Sequence, residues 1–383
     1  MYKQKTEKSN NRFPDLTVLG RIFLFSDAGR KQFMKKKMMA LALAGAMLAM
    51  TACGSSGKTA DTAATKAATE AAAAATEASS STATQAADNS GKTYKVGICQ
   101  LVQHDALDAA TKGFEDALKD KFGDNVTIDY QNAQGDSATC ATIVNGFVSN
   151  QYDLILANAT PALQAAVAAT TDIPILGTSI TDYGTALNLK DFSGTTGMNV
   201  SGTSDLAPLD QQEAMIKELV PDAKKVAILY CSAEANSKFQ AEKIEGYLDA
   251  DKIAYQEYTF ADSNDLQSVV QSAVSECDVM YIPTDNTAAS NMTIIKNITE
   301  PAKLPIICGE ENMCSNGGLA TLSIDYYDIG KAAGEQAIDI LANGADVSTM
   351  PIGYAKTTTK KYNKEYADAI GFTIPSDYVA IEK

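Results

Sequence analysis

Tryptophan is absent from the 383 residues, and histidine occurs once, as His104. With one histidine, no G-x-S-x-G elbow and no H-E-x-x-H helix, the sequence gives poor support for a nucleophile–base site or a zinc protease site. No G-x-G-x-x-G follows the first strand-like run, so dinucleotide binding lacks its motif. Cys308 and Cys314 do not have zinc-knuckle spacing, and neither metal nor cofactor is expected. Basic residues are scarce: 10 of the 32 Lys and Arg, but 3 of the 47 Asp and Glu, fall in residues 1–52, leaving the rest of the chain at about −22. Nucleic acid is excluded, because no basic patch exists to displace its counterions. No apolar run reaches the ~20 residues of a spanning helix.

What is present begins with Cys53. Three lysines at 35–37 precede an apolar run at 38–50, then Thr51 and Ala52, and Gly54, Ser55 and Ser56 follow. That order matches a secretory signal, and Cys53 resembles the acylated cysteine of a bacterial lipoprotein, with Met50 where leucine is usual. Translation is expected to begin at Met34, with residues 1–33 a misassigned extension, so 1–52 is read as the leader region. Residues 53–92 carry the anchor and a tether of Ala, Thr, Ser, Gly and charged residues. Such a composition cannot bury enough apolar surface to order itself. The expected location is the outer face of a cell membrane, held by lipid.

The remaining six cysteines are Cys99, Cys140, Cys231, Cys277, Cys308 and Cys314. Cys99, Cys231 and Cys308 close apolar runs, where a free thiol acts as a small core residue, so mostly free thiols are expected.

From residue 93 the folded part is about 290 residues, more than one core holds comfortably, which points to two lobes. Strand-like runs at 94–99, 126–132, 153–158 and 173–178 alternate with helical stretches at 106–119, 137–149 and 161–169. After a Gly/Ser/Thr-rich bridge at 193–204 the rhythm restarts. Helices at 209–219, 239–250, 266–275, 288–300 and 327–343 then alternate with strands at 226–231, 253–260, 279–283, 304–308 and 319–324. Serial β-α units of this kind give an α/β fold, two doubly wound parallel-sheet lobes.

Ligands of such sheets sit beyond the carboxyl ends of the strands. The loops there are polar: Gln100 to Asp105, Asn132 to Asp136, Asn158 to Pro161, Ser232 to Ser237, Thr284 to Asn286, Glu310 to Asn312 and Asp325 to Tyr327. Each also opens a helix, where Ser, Thr, Asp and Asn serve as caps, so any one alone reads first as local capping, and the functional reading comes from both halves aiming such loops at one cleft. His104 reads as a local hydrogen-bonding residue at a helix entrance.

The stretches VGICQLVQHDALDAATKGF (96–114), NAQGD (132–136), ATP (159–161), VSGTSD (200–205), LYCSAEANS (229–237), YIPTDN (281–286) and IDYYDIG (324–330) carry a resemblance. Together they resemble the tryptophan/aromatic amino-acid type of ABC-transporter substrate-binding lipoprotein, of the type I periplasmic-binding-protein fold. One departure is Asp182-Tyr183, where the family pattern leads one to expect Asp-Pro.

The resemblance implies a hinged, monomeric receptor, not an enzyme, which captures a free amino acid and delivers it to a permease and its ATPase. Lobe one would comprise 93–203 and 325–346, lobe two 204–324 and 347–383, joined by a three-strand hinge. The α-carboxylate would take Thr160 with Ser179 or Thr181 at a helix N-terminus. Any of Glu234, Asp285, Glu310 or Asp325 can supply a partner for the ammonium. Gln100, Asn158, Asn236, Ser237 and Asn286 offer neutral contacts, and Tyr326 offers an aromatic wall. The alternatives are another small ligand on the same fold (a branched amino acid, a sugar or a nucleoside) and an exported enzyme that uses His104.

Overall fold

The computed structural model describes residues 91–382. The leader, Cys53 and the tether lie outside the described residues. The first lobe is built from β1 (Tyr94–Gln100), α1 (Asp105–Phe122), β2 (Val126–Asn132), α2 (Ser137–Ser149) and β3 (Leu154–Asn158). It continues through α3 (Thr160–Ala169), β4 (Ile175–Ile180), α4 (Tyr183–Leu187) and β5 (Val200–Ser204). The second lobe starts with α5 (Leu209–Leu219), β6 (Lys225–Cys231), α6 (Ala235–Asp251), β7 (Ala254–Phe260) and α7 (Ser263–Glu276). It proceeds through β8 (Val279–Ile282), α8 (Asn286–Ala289), α9 (Met292–Thr299), β9 (Ile306–Cys308), α10 (Glu311–Gly317) and β10 (Ala320–Ser323). The chain then returns to the first lobe for α11 (Tyr326–Asn343) and β11 (Gly353–Tyr354). It ends on the second with β12 (Thr359–Tyr362), α12 (Lys364–Ile370) and β13 (Val379–Ala380).

The first sheet runs β11-β5-β4-β3-β1-β2, with every pair parallel. The second runs β13-β12-β10-β9-β8-β6-β7, with only β10–β12 antiparallel. Helices cover both faces, which is why β3, β4, β8 and β9 are buried along their whole length, and why β3, β8 and β9 are mostly apolar in sequence. The chain passes between sheets three times, at 205–208, 324–325 and 355–358.

Three expectations need correction. The bridge read at 193–204 ends in a strand, because β5 is wholly buried between β4 and β11. Its Gly202 leaves no room for a side chain: a Cβ there would stand 2.0 Å from the Gly177 carbonyl oxygen. Assigning all of 347–383 to lobe two places β11 wrongly, since it pairs with β5 and the last crossing follows Tyr354. The helix read at 288–300 is two, α8 and α9. At the junction Ser290 Oγ donates to the Asn286 carbonyl and Asn291 Nδ2 to the Thr287 carbonyl, side chains competing with the helix for its acceptors.

All six described cysteines are free thiols, with Cys99, Cys140, Cys231, Cys308 and Cys314 buried.

One helix pair sets the geometry of the cleft. On α11, Gly330 lies against the backbone of α1, and Gly334 sits beside Ala117. Gly113 of α1 meets the Tyr327 carbonyl in the same way. Small residues at 110, 113, 117, 330 and 334 let the two backbones touch. That contact brings the first residues of both helices, beside His104 and at Tyr326, to one spot at the sheet's carboxyl edge.

Candidate functional site

The two lobes face each other across a cleft with a mouth and a deeper cavity. The mouth, ≈ 290 Å³, is lined from lobe one by Leu101, Val102, Gln134 and Pro161, and from lobe two by Glu234 and Asn286 among others. The cavity behind is lined by His104, Leu107, Asp205, Thr284, Asp285, Asn286, Ala289, Glu310 and Tyr326. Its ≈ 10 Å³ holds about one water. The lobes therefore sit closed, and a solute of amino-acid size needs them to part. Hydrogen bonds span the gap, among them His104 Nε2 to Asn286 Oδ1 at 3.2 Å and Asn316 Nδ2 to Asp105 Oδ2 at 3.1 Å.

Carboxylates dominate the cavity. Asp205, Asp285 and Glu310 are 3%, 1% and 2% exposed, and no lysine or arginine lines it. Asp205 Oδ2 accepts from the Tyr326 hydroxyl at 2.8 Å, while its Oδ1 has no partner. Burial raises its pKa against the pull of the Tyr326 and Thr181 hydroxyls. Asp285 caps α8 through the Ala288 N–H and also accepts from the Cys231 N–H, both at 2.7 Å. Burial pushes it up to about 8, with the nearby Glu234 charge adding to the effect. Glu310 caps α10 through the N–H groups of Asn312 and Met313, yet burial pushes it up to about 7. Withdrawing charge from water disfavours the ionised form in all three.

Glu234, at the boundary of mouth and cavity, gathers five donors: Asn236 Nδ2, Asn286 N and Nδ2, and Thr287 N and Oγ1. It fixes the two lobe-two loops to each other. Asn236 Nδ2 also reaches Ser237 Oγ and the Thr284 carbonyl, and Ser237 bonds Asp285. These expected contact residues therefore form a buried frame behind the cavity wall.

Of the other expected contacts, Asp285, Asn286, Glu310 and Tyr326 line the cavity. Gln100 and Asn158 are turned under α1. Gln100 accepts from Thr111 Oγ1 and donates to Asp108, and Asn158 Nδ2 donates to the Leu107 carbonyl. Thr160 is buried at the first turn of α3, just after Ala159 with φ 86°. Ser179, φ 56°, keeps an unpartnered buried hydroxyl at the end of β4. Thr181 reaches the cavity only through Asp205. Asp325 lies elsewhere: exposed, it caps α11 through the Asp328 N–H and lines a separate hollow beside the hinge with Thr203 and Tyr354. Helix-cap geometry turns its carboxylate to solvent, while the next residue, Tyr326, faces inward.

Sequence reasoning missed Asp205 and Thr284, and took His104 as local. The signal for Asp205 was available, a lone acid closing the VSGTSD stretch at the first crossing.

Comparison with known proteins agrees with this arrangement. Residues 95–381 match the family described as ABC transporter substrate binding protein. A curated relative, "Tyrosine-binding protein" of Clostridioides difficile (strain R20291), is 40% identical over 285 residues, 74% of this chain and 82% of its own length. A solved structure of an ABC domain in complex with L-Trp from Streptococcus pneumonia has 35% identity and a TM-score of 0.71, covering 74% of this chain and 97% of that one. The ligand-free, open structure of a substrate-binding protein with adhesive properties from Clostridium difficile has 38% identity but a TM-score of 0.59, covering 76% of this chain and all of that one. The fold is thus that of type I periplasmic binding proteins, and the chain belongs to the ABC transporter substrate binding protein family.

Proposed function

We propose that this protein captures an aromatic amino acid in the interlobe cleft and presents it to the permease of an ABC importer. The observation that carries this reading is a cavity faced by Asp205, Asp285 and Glu310 with no lysine or arginine in its lining. Buried carboxylates without a cation favour a ligand that brings one, and an α-ammonium does so through charge-assisted hydrogen bonds worth ~1.5–3 kcal/mol each. The Tyr326 ring and Leu107 supply an apolar wall. The hydroxyls of Thr160, Ser179 and Thr181, at strand ends of lobe one, are the proposed partners of the α-carboxylate. The relatives named for tyrosine and bound to tryptophan support an aromatic side chain.

Closure by hinge rotation fits the same reading. The closed lobes resemble the tryptophan-bound structure more than the open ligand-free one, although identity to the latter is slightly higher. Three crossings, at 205–208, 324–325 and 355–358, are the proposed hinge. The protein acts as a monomer outside the cytoplasmic membrane, tethered by a lipid on Cys53. Cys53→Ala should move it from the membrane fraction to the medium.

Thermal-shift screening of all the common amino acids tests the ligand. A true ligand at a hundredfold excess over Kd stabilises by about 2.7 kcal/mol, an unmistakable rise in melting temperature. Tyrosine, tryptophan or phenylalanine should give it. A response to none of the three, or to a sugar or nucleoside instead, overturns the reading.

A further inference from the structure

His104 is half-buried, but solvent does not reach its Nδ1, and no protein group bonds that atom. Its other nitrogen, Nε2, meets Asn286 Oδ1 across the cleft. Which nitrogen carries the proton follows from the network. Glu234 Oε2 accepts from Asn286 Nδ2 at 2.7 Å, which fixes the amide with its NH2 toward the carboxylate and its oxygen toward His104. An oxygen can only accept, so Nε2 must be the protonated nitrogen and Nδ1 the bare one. Burial also lowers the imidazole's pKa and keeps it neutral.

The hydroxyl and amide donors of the lining are spent. The Tyr326 hydroxyl is given to Asp205, the Thr284 hydroxyl bonds Tyr326, and Asn286 Nδ2 is given to Glu234. A buried acceptor left without a donor is a standing cost to the fold, which a solute donor can recover. Asp205 Oδ1 is a second such acceptor on the same lining.

We propose that His104 reads the solute: Glu234, acting through Asn286, holds its Nδ1 as an open acceptor for an N–H or O–H group of the captured molecule. This rests on the functional reading above. The donor is either the α-ammonium or a polar group of the ring, and the choice of amino acid separates the two.

The histidine is unique, so ring-15N histidine gives one imidazole spectrum. Without solute, it should show the Nε2–H tautomer with a bare Nδ1. Saturation with tyrosine should move the Nδ1 resonance upfield as it accepts a hydrogen bond. An equal movement with phenylalanine assigns the donor to the ammonium; movement with tyrosine or tryptophan alone assigns it to the ring. The Nδ1–H tautomer in the free protein, or an Nδ1 resonance unmoved by a saturating ligand, overturns the proposal. If no amino acid binds while the tautomer is as stated, the functional reading falls and the solute contact falls with it.

Two variants give an independent reading. An asparagine oxygen can stand where Nδ1 stands, and a glutamine amide where Nε2 stands. His104→Asn should keep affinity within a few-fold, and His104→Gln should weaken it about tenfold or more. The reverse order, with both variants folded by circular dichroism, makes His104 a latch between lobes and overturns the proposal.

Discussion

The Tyr326 hydroxyl donates to Asp205 Oδ2 at 2.8 Å, joining the residue that follows the second interlobe crossing to one inside the first. Both side chains are buried at the inner end of the cleft. The bond serves the fold and the site together, since it orients the aromatic wall and partly satisfies a buried acid. Tyr326→Phe keeps the ring and removes the donor. Unfolding free energy should fall by about 1–3 kcal/mol, read from denaturant melts. Affinity for the aromatic solute should fall less than in Tyr326→Ala, which also removes the wall. Equal losses in the two variants would remove the ring from the account of binding.

The close approach of α1 and α11 is a second target. A Cβ on Gly330 would stand 1.9 Å from the Ala110 carbonyl oxygen, in a contact made by backbone that cannot step aside. Gly330→Val should cost about 1–3 kcal/mol or more by overpacking. It should also weaken binding, because it spreads the helix starts that carry His104 and Tyr326. Gly146→Ala is the control. That glycine is an exposed position of α2 with open space around it, and alanine there should stabilise by about 0.5–1 kcal/mol. Melting temperatures of the pair, moving in opposite directions, check both.

Much of the fold was legible because parallel strands buried on both faces announce themselves as apolar runs, as in LILAN of β3 and VMYI of β8. β5 was not, because a strand squeezed against neighbouring backbone is written in Gly, Ser and Thr and reads as a loop. At the site, the polar strand ends were visible but their facing was not. Gln100 and Asn286 both follow or close strand-end motifs, yet one is tucked under α1 and the other lines the cavity. Asp325 and Tyr326 are neighbours in sequence and point to opposite sides of the hinge, which only the start of α11 decides. His104 gained its meaning from a partner 182 positions away.

Asp285 and Glu310 should make the ligand-free protein lose stability as pH rises. Their ordinary values are 3.8 and 4.5, and in the fold they stand near 8 and 7. Between these limits the unfolded chain has released protons that the folded chain still holds, so the free energy of unfolding falls with each pH unit. Below the ordinary values the contribution is fully present, and above the folded ones it is gone. Melting temperature should therefore decline from about pH 5 to about pH 8, and Asp285→Asn should flatten that decline. A bound ammonium favours the ionised carboxylates. Affinity should accordingly rise over about pH 6 to 8, with proton release visible as a buffer-dependent heat of binding. A slope the same in wild type, Asp285→Asn and Glu310→Gln would reject the assignment.

Glu234 tests whether the lobe-two frame needs a charge or merely a side chain of that length. Every group pointing at its two oxygens is a donor: Asn236 Nδ2, both nitrogens of Asn286, and the Thr287 N–H and hydroxyl. Glutamine has the same shape but must turn an NH2 toward one of these sets, so a donor faces donors and at least one buried group loses its acceptor. Glu234→Gln should destabilise by about 1–3 kcal/mol, and the hydrogen bonds to a charged acceptor raise the figure toward the upper end. It should also free the Asn286 amide to reverse, presenting its NH2 to His104. The reversal would be read in the ring-15N spectrum as a shift of the proton toward Nδ1. Stability and tautomer both unchanged would mean that the Asn286 amide is held by something other than this carboxylate.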